Sequence, residues 1–172
     1  MNLQSKNHII FIKIIDMKNR KNVFISHFNE DEEHIQNLKA LVAKKDYSFR
    51  NSSIDSTKPN DASNPNYIKG LLRDGIKWAG TTIVLIGPKT HTRDWVNWEI
   101  KKSFKEGNRI IGVYINGASD SDVPENFEKF GDALVGWNTD RILGAIEGNI
   151  NNWEKPDGTM REGRWSPYRG TC

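Results

Sequence analysis

The chain has little cysteine: one residue in 172, Cys172. No internal disulfide can form, and a reducing cytoplasm is the expected home. Its four histidines, His8, His27, His34 and His91, stand apart and give no metal-ligand spacing. No apolar run approaches the ~20 residues of a membrane-spanning helix. The best candidate, HIIFIKII, is broken by Lys13 and precedes no small-residue cleavage site. Charge of one sign is missing too. Lys and Arg number 25 against 22 Asp and Glu, a net of +3, and the two signs are interspersed. That leaves no basic stripe for nucleic acid and no polybasic anchor for a membrane. Neither partner is expected.

What is present suits one globular domain with its own core, since domains cluster near ~100–150 residues. Met17 precedes KNRKNVFISH and reads as the functional start, with residues 1–16 an upstream extension. An added strand or a partner-binding segment are the alternatives there. The expected division is an N-terminal extension over 1–19, a domain over 20–150 and a tail over 151–172. The tail is rich in Gly and Pro and carries Trp153, Arg161, Arg164 and Trp165. It reads as loosely packed or disordered, or else as a partner contact.

Between these ends, apolar strand-like runs alternate with helical spacing. NVFIS (22–26) predicts a buried strand. Ile35, Leu38, Leu41 and Val42 then fall on one face of a helix, with acids before it and lysines near its end. YSFRNSSI (47–54) predicts a strand near an edge, followed by the polar loop DSTKPNDASNP. A helix is expected from Asn66 to about Trp78. TTIVLIG (81–87) is a continuous apolar run, as in a strand covered on both faces. A helix from about 94 to 106 follows, ended by Gly107, then a strand at 108–116, a polar loop, a short strand at 133–138 and a last helix over 139–150. Five such alternations call for an α/β fold: a flavodoxin-like doubly wound parallel sheet of order 2-1-3-4-5.

Such sheets bind ligands beyond the carboxyl ends of their strands, near the reversal in strand order. That places a site among SHFNED, DSTKPNDASNP and GPKTHTRDW. The helix beginning DWVNWEI starts from the third of these loops. Val96, Ile100 and Phe104 share its core face at 100° per residue. Trp95 and Glu99, at i and i+4, are neighbours on an adjoining face, and Glu99 borders the core. A carboxylate there is partly desolvated, which raises its pKa. Trp98 is expected to point elsewhere, near Lys102. On spacing alone, a surface acid paired with Lys102 at i+3 is the plainer reading of Glu99, and a packing aromatic that of Trp95. Ser26 and His27 make no nucleophile pair, because adjacent strand residues face opposite ways.

Other devices fail. GPKT lacks the G-x-x-x-x-G-K of a phosphate-binding loop, and no G-x-G-x-x-G follows the first strand. A phospho-acceptor receiver would carry acids after the first strand, where Ser-His-Phe stands instead.

Taken together, VFISHFNEDEEHIQNL, TTIVLIGPKTHTRDWVNWEI and NRIIGVYIN resemble TIR domains over roughly residues 20–150, most closely the TIR-like proteins of the Thoeris antiphage system. The resemblance implies an enzyme that cleaves the nicotinamide–ribose bond of NAD, as a glycohydrolase or an ADP-ribosyl cyclase. It implies NAD as substrate and no cofactor. It makes Glu99 the catalytic carboxylate and Trp95 the aromatic beside the nicotinamide. His27 and Phe28 would line the pocket, and Ser53 and Asp55 would open a mobile loop that meets NAD. It also implies a phage-derived trigger, a diffusible nucleotide product that reaches a downstream effector, and assembly into a homo-oligomer that completes the site.

The residue types suit that chemistry. Nicotinamide leaves as a neutral base and needs little acid help, while the ribose carbon takes on oxocarbenium character. A carboxylate can stabilise that charge, and an aromatic face can attract the pyridinium by about 0.5–2 kcal/mol. Water or an adenine atom of NAD then attacks, and the choice separates hydrolase from cyclase. The alternatives are a non-catalytic TIR interaction scaffold and a nucleoside-processing hydrolase of similar fold.

Overall fold

A computed structural model describes residues 20–27, 32–45, 47–51 and 64–162. The five strands are β1 (Arg20–Ser26), β2 (Ser48–Asn51), β3 (Thr81–Ile86), β4 (Arg109–Tyr114) and β5 (Ala133–Val135). The helices are α1 (Glu32–Ala43), α2 (Pro65–Trp78), α3 (Asp94–Lys105), α4 (Glu125–Phe130) and α5 (Thr139–Glu147). All strand pairs are parallel, and the sheet runs β2-β1-β3-β4-β5. The α/β class and the parallel sheet are those expected from the alternating pattern. β1 begins two residues earlier than its apolar run, because Arg20 and Lys21 pair with Ser48 and Phe49.

Strand alternation sorts the core into two layers. Val23, Ile25, Ile83, Leu85, Ile111 and Val113 face one side, against Ile35 and Leu38 of α1 and Ile142 of α5. Val84, Ile86, Ile110 and Leu134 face the other, against Val96 and Ile100 of α3 and Phe127 of α4. On that second side Phe24 of β1 meets Leu72 and Ile76 of α2. All six residues of β3 are buried. Gly112 on β4 is a packing requirement: a Cβ there would lie 2.6 Å from Leu134 Cδ1 and 2.7 Å from Phe127 Cζ.

Two regions depart from expectation. The polar loop before β5 contains α4, a six-residue helix with one fully buried anchor, Phe127. One anchor in six residues leaves no periodicity to read. The second departure is the tail. Residues 151–162 are docked along β5 rather than loose. Leu134 N–H donates to the Asn152 carbonyl (3.2 Å), and Glu154 N–H donates to the Leu134 carbonyl (2.8 Å). Trp153 is buried against Phe127, with ring centroids 5.2 Å apart. The Glu154 carboxylate, 2 % exposed, accepts from Gly136 N–H (2.9 Å) and Arg141 Nε (2.5 Å). Arg161 lies over the Trp153 ring and donates to Asp120 (3.1 Å) and Glu128 (2.7 Å). Of the tail residues that the sequence offers as a partner contact, Trp153 and Arg161 thus find partners within the chain. Arg164 and Trp165 lie outside the described residues, as do residues 1–19.

Candidate active site

The site is built by the turn that joins β3 to α3. Gly87 N–H donates to the Thr90 hydroxyl (2.9 Å), and Thr90 is buried. Lys89 adopts a left-handed conformation (φ 67°), and its N–H donates to Asp122 Oδ1 (2.8 Å). This bond ties the turn to the segment after β4. Asp94 sits in the first turn of α3, where the helix dipole favours an acid. The rotation of α3 about its axis is set from two sides. Val96 and Ile100 insert into the core. Asn97 clamps α4, accepting from Asn126 N–H at its side chain (3.0 Å) and from Asn126 Nδ2 at its carbonyl (2.8 Å).

With α3 so fixed, Glu99 points inward at the end of β1. It is 8 % exposed, and Ser26 Oγ donates to its Oε2 at 2.5 Å. Burial pushes its carboxyl up to about 8, and the hydrogen bond from Ser26 pulls the other way. Lys102 is not its partner; that lysine is bound to Glu106 one turn further on. The surface pairing suggested by i+3 spacing is therefore corrected: Lys102 follows the outer face of α3, and Glu99 the inner one.

Trp95 is 43 % exposed and meets Trp98 edge to face, with centroids 6.0 Å apart at 75°. Lys69 Nζ of α2 lies 5.7 Å from the Trp95 ring centroid. Trp98 does not turn toward Lys102 but packs on the cluster of Phe24, Leu72 and Ile76, so it braces Trp95 from below. His27, half-buried, directly follows Ser26, with its Nδ1 3.2 Å from the Ile25 carbonyl oxygen. Phe28, Ser53 and Asp55 lie outside the described residues. Among the described candidates, Glu99 and Trp95 occupy adjacent turns of α3, and Ser26 joins β1 to them.

Ser26 is the residue that sequence reasoning missed. Its signal was positional: β1 lies next to β3, so the last residue of β1 on the α3 face meets the first turns of α3. Chemically, the group offers a carboxyl poised near neutrality, one hydroxyl donor holding it, and an exposed indole that already attracts a cation. Such a set can receive a positively charged planar group and stabilise positive charge beside it.

The Thoeris protein ThsB, TIR-like domain, family model matches residues 24–120, a span that holds Ser26, His27, Trp95 and Glu99. The chain is 41 % identical over 66 residues to a Bacillus cereus (strain MSX-D12) protein named "Putative cyclic ADP-D-ribose synthase ThsB1". That match covers 38 % of this chain and 32 % of the relative, about a third of its length. Among solved structures, the TIR domains of the activated Roq1 resistosome align with 17 % identity and a TM-score of 0.41, covering 56 % of this chain and 58 % of that one. A Clostridium botulinum CMP N-glycosidase aligns with 21 % identity and a TM-score of 0.38, covering 55 % of this chain and 68 % of that one.

Proposed function

We propose, from the premise that the chain belongs to the Thoeris ThsB TIR-like domain family, that it cleaves the nicotinamide–ribose bond of NAD. The observation that carries the reading is Glu99, a buried carboxyl held by Ser26 next to the exposed Trp95. In this reading the pyridinium of NAD settles against Trp95 in place of the Lys69 cation. Its positive charge favours ionisation of Glu99, whose carboxyl is poised at about 8. The ionised carboxylate then stabilises the oxocarbenium character that develops at the ribose carbon as nicotinamide departs. Ser26 keeps the carboxylate aimed by donating to it throughout. The relative's printed name favours the cyclic product over the hydrolytic one.

A pure interaction scaffold is disfavoured by the cost of the buried carboxyl. A surface that only docks partners gains nothing from an acid desolvated behind a helix, and a glutamine would fill the same volume more cheaply. The wider role proposed is a cytoplasmic one: a phage-derived signal activates the domain, copies assemble, and a diffusible nucleotide reaches an effector.

The test is incubation of the purified protein with NAD, alone, under crowding and with infected-cell extract, with products resolved by chromatography and mass detection. Release of nicotinamide that is lost in Glu99→Gln is the expected result. The accompanying product, ADP-ribose or its cyclic form, assigns the attacking group. Undiminished turnover in that variant would remove Glu99 from the chemistry.

A further inference from the structure

A cleft of about 520 Å³ lies at the ends of β4 and β5, and Ser26, Trp95, Trp98 and Glu99 are not among its described lining residues. Its volume falls within the ~300–1,000 Å³ of small-molecule pockets. His34 and Asn37 of α1 form one wall, Trp137 after β5 another, and Asn116, Gly117 and Pro156 the rim. Trp137 is 36 % exposed and braced edge to face by the His34 ring, with centroids 6.0 Å apart at 71°. Its indole is held in place without being consumed by the core. Among the described residues, neither the Asn37 nor the Asn116 side-chain amide has a partner in the chain. Gly117 turns in the left-handed region (φ 81°) and adds no side chain to the rim. No Lys, Arg, Asp or Glu is among the described lining residues.

This set recognises one chemistry. An exposed indole stacks a flat ring, whatever its sequence of atoms. A carboxamide carries a donor and an acceptor side by side, the complement of the adenine N6–N7 edge. Among the described lining residues no charged side chain stands ready to fix a phosphate, a carboxylate or a metal ion. We infer that this cleft binds the adenine base of a nucleoside or nucleotide, with any phosphates left projecting into solvent. The cleft joins α1, the end of β4, the β5–α5 turn and the docked 151–162 segment, so an occupant would bridge all four. This site does not depend on what Glu99 does.

The test uses the full chain carrying Glu99→Gln, with adenosine as the probe and binding read by titration calorimetry. Saturable binding is expected in the millimolar range or tighter. It should weaken ten-fold or more in Trp137→Ala, by less than three-fold in Trp137→Phe, and measurably in Asn116→Ala. Adding Trp95→Ala should leave it unchanged. Thermal melting of each variant checks folding, and Trp137 and Asn116 are both exposed, so neither change removes a core residue. The inference is overturned by the absence of saturable adenosine binding. It is equally overturned by binding that survives Trp137→Ala or is lost with Trp95→Ala. Because adenosine cannot report on NAD turnover, failure here leaves the NAD assay to stand or fall separately.

Discussion

Replacing Glu99 by Gln is expected to stabilise the protein at alkaline pH and to do little near pH 4.5. The Glu99 carboxyl is pushed from its ordinary 4.5 up to about 8 by burial. The unfolded chain releases that proton from about pH 4.5 upward, whereas the folded chain holds it until about 8. Between those values the unfolded state binds fewer protons, so the free energy of unfolding falls as pH rises. The gap corresponds to on the order of 5 kcal/mol, fully present as a penalty above pH 8. Glutamine stays neutral throughout, and its carbonyl oxygen can still accept from Ser26 Oγ. The other titrating groups are common to both proteins and cancel in the difference. For a chain of this length, ~5 kcal/mol is about 10 °C or more in melting temperature. Urea unfolding of both proteins at pH 5, 6.5 and 8 measures the effect directly. A difference between variant and wild type that is the same at pH 5 and at pH 8 would refute the buried, near-neutral Glu99.

Three further outcomes follow from named contacts. Ser26→Ala removes the hydrogen bond that, among the described residues, lowers the Glu99 pKa, so the acid limb of the NAD-cleavage pH profile should move up by roughly one unit, since a bond to a charged group is worth ~1.5–3 kcal/mol. An unmoved limb would detach Ser26 from Glu99. Lys69→Met clears the cation from the Trp95 ring. The KM for NAD should fall about two- to five-fold with kcat unchanged, as expected for a cation–π contact of ~0.5–1 kcal/mol, and a raised KM would mean that Lys69 helps hold the substrate. Arg141→Ala leaves Glu154 buried without its cation; it should cost about 3 kcal/mol in urea unfolding, whereas a loss below 1 kcal/mol would show that Gly136 N–H alone satisfies the carboxylate.

The parts legible in the sequence were those with a long periodic signal. TTIVLIG announced the central strand, because a strand covered by helices on both faces carries no polar position. DWVNWEI revealed its faces once wound at 100° per residue, and Glu99 fell on the core border as the helical wheel placed it. What stayed hidden was set by tertiary contact. Nothing local marks Ser26 as a donor to a residue 73 positions away. Lys102 could pair at i−3 or i+4, and only the burial of Glu99 decided for Glu106. α4 and the 151–162 segment were missed for the same reason: each depends on one aromatic, Phe127 or Trp153, that packs against the other. Composition reads the Gly and Pro of the tail as looseness, but in the structure Pro156 and Gly158 sit in a turn between two bridged residues, Glu154 and Met160.

The docking of residues 151–162 on β5 has a consequence for synthesis. A ribosome releases the chain from its N-terminus at ~5–20 residues per second. Every strand of the parallel sheet is therefore out before the segment that covers its β5 edge. During that interval Leu134 presents an unpaired N–H and carbonyl to whatever lies nearby, and Phe127 lacks its Trp153 neighbour. A bare strand edge of this kind is a template for joining another nascent chain. Burial of Glu154 against Gly136 and Arg141 closes that edge, so a released chain truncated before Trp153 would keep it bare and be the form more prone to aggregate.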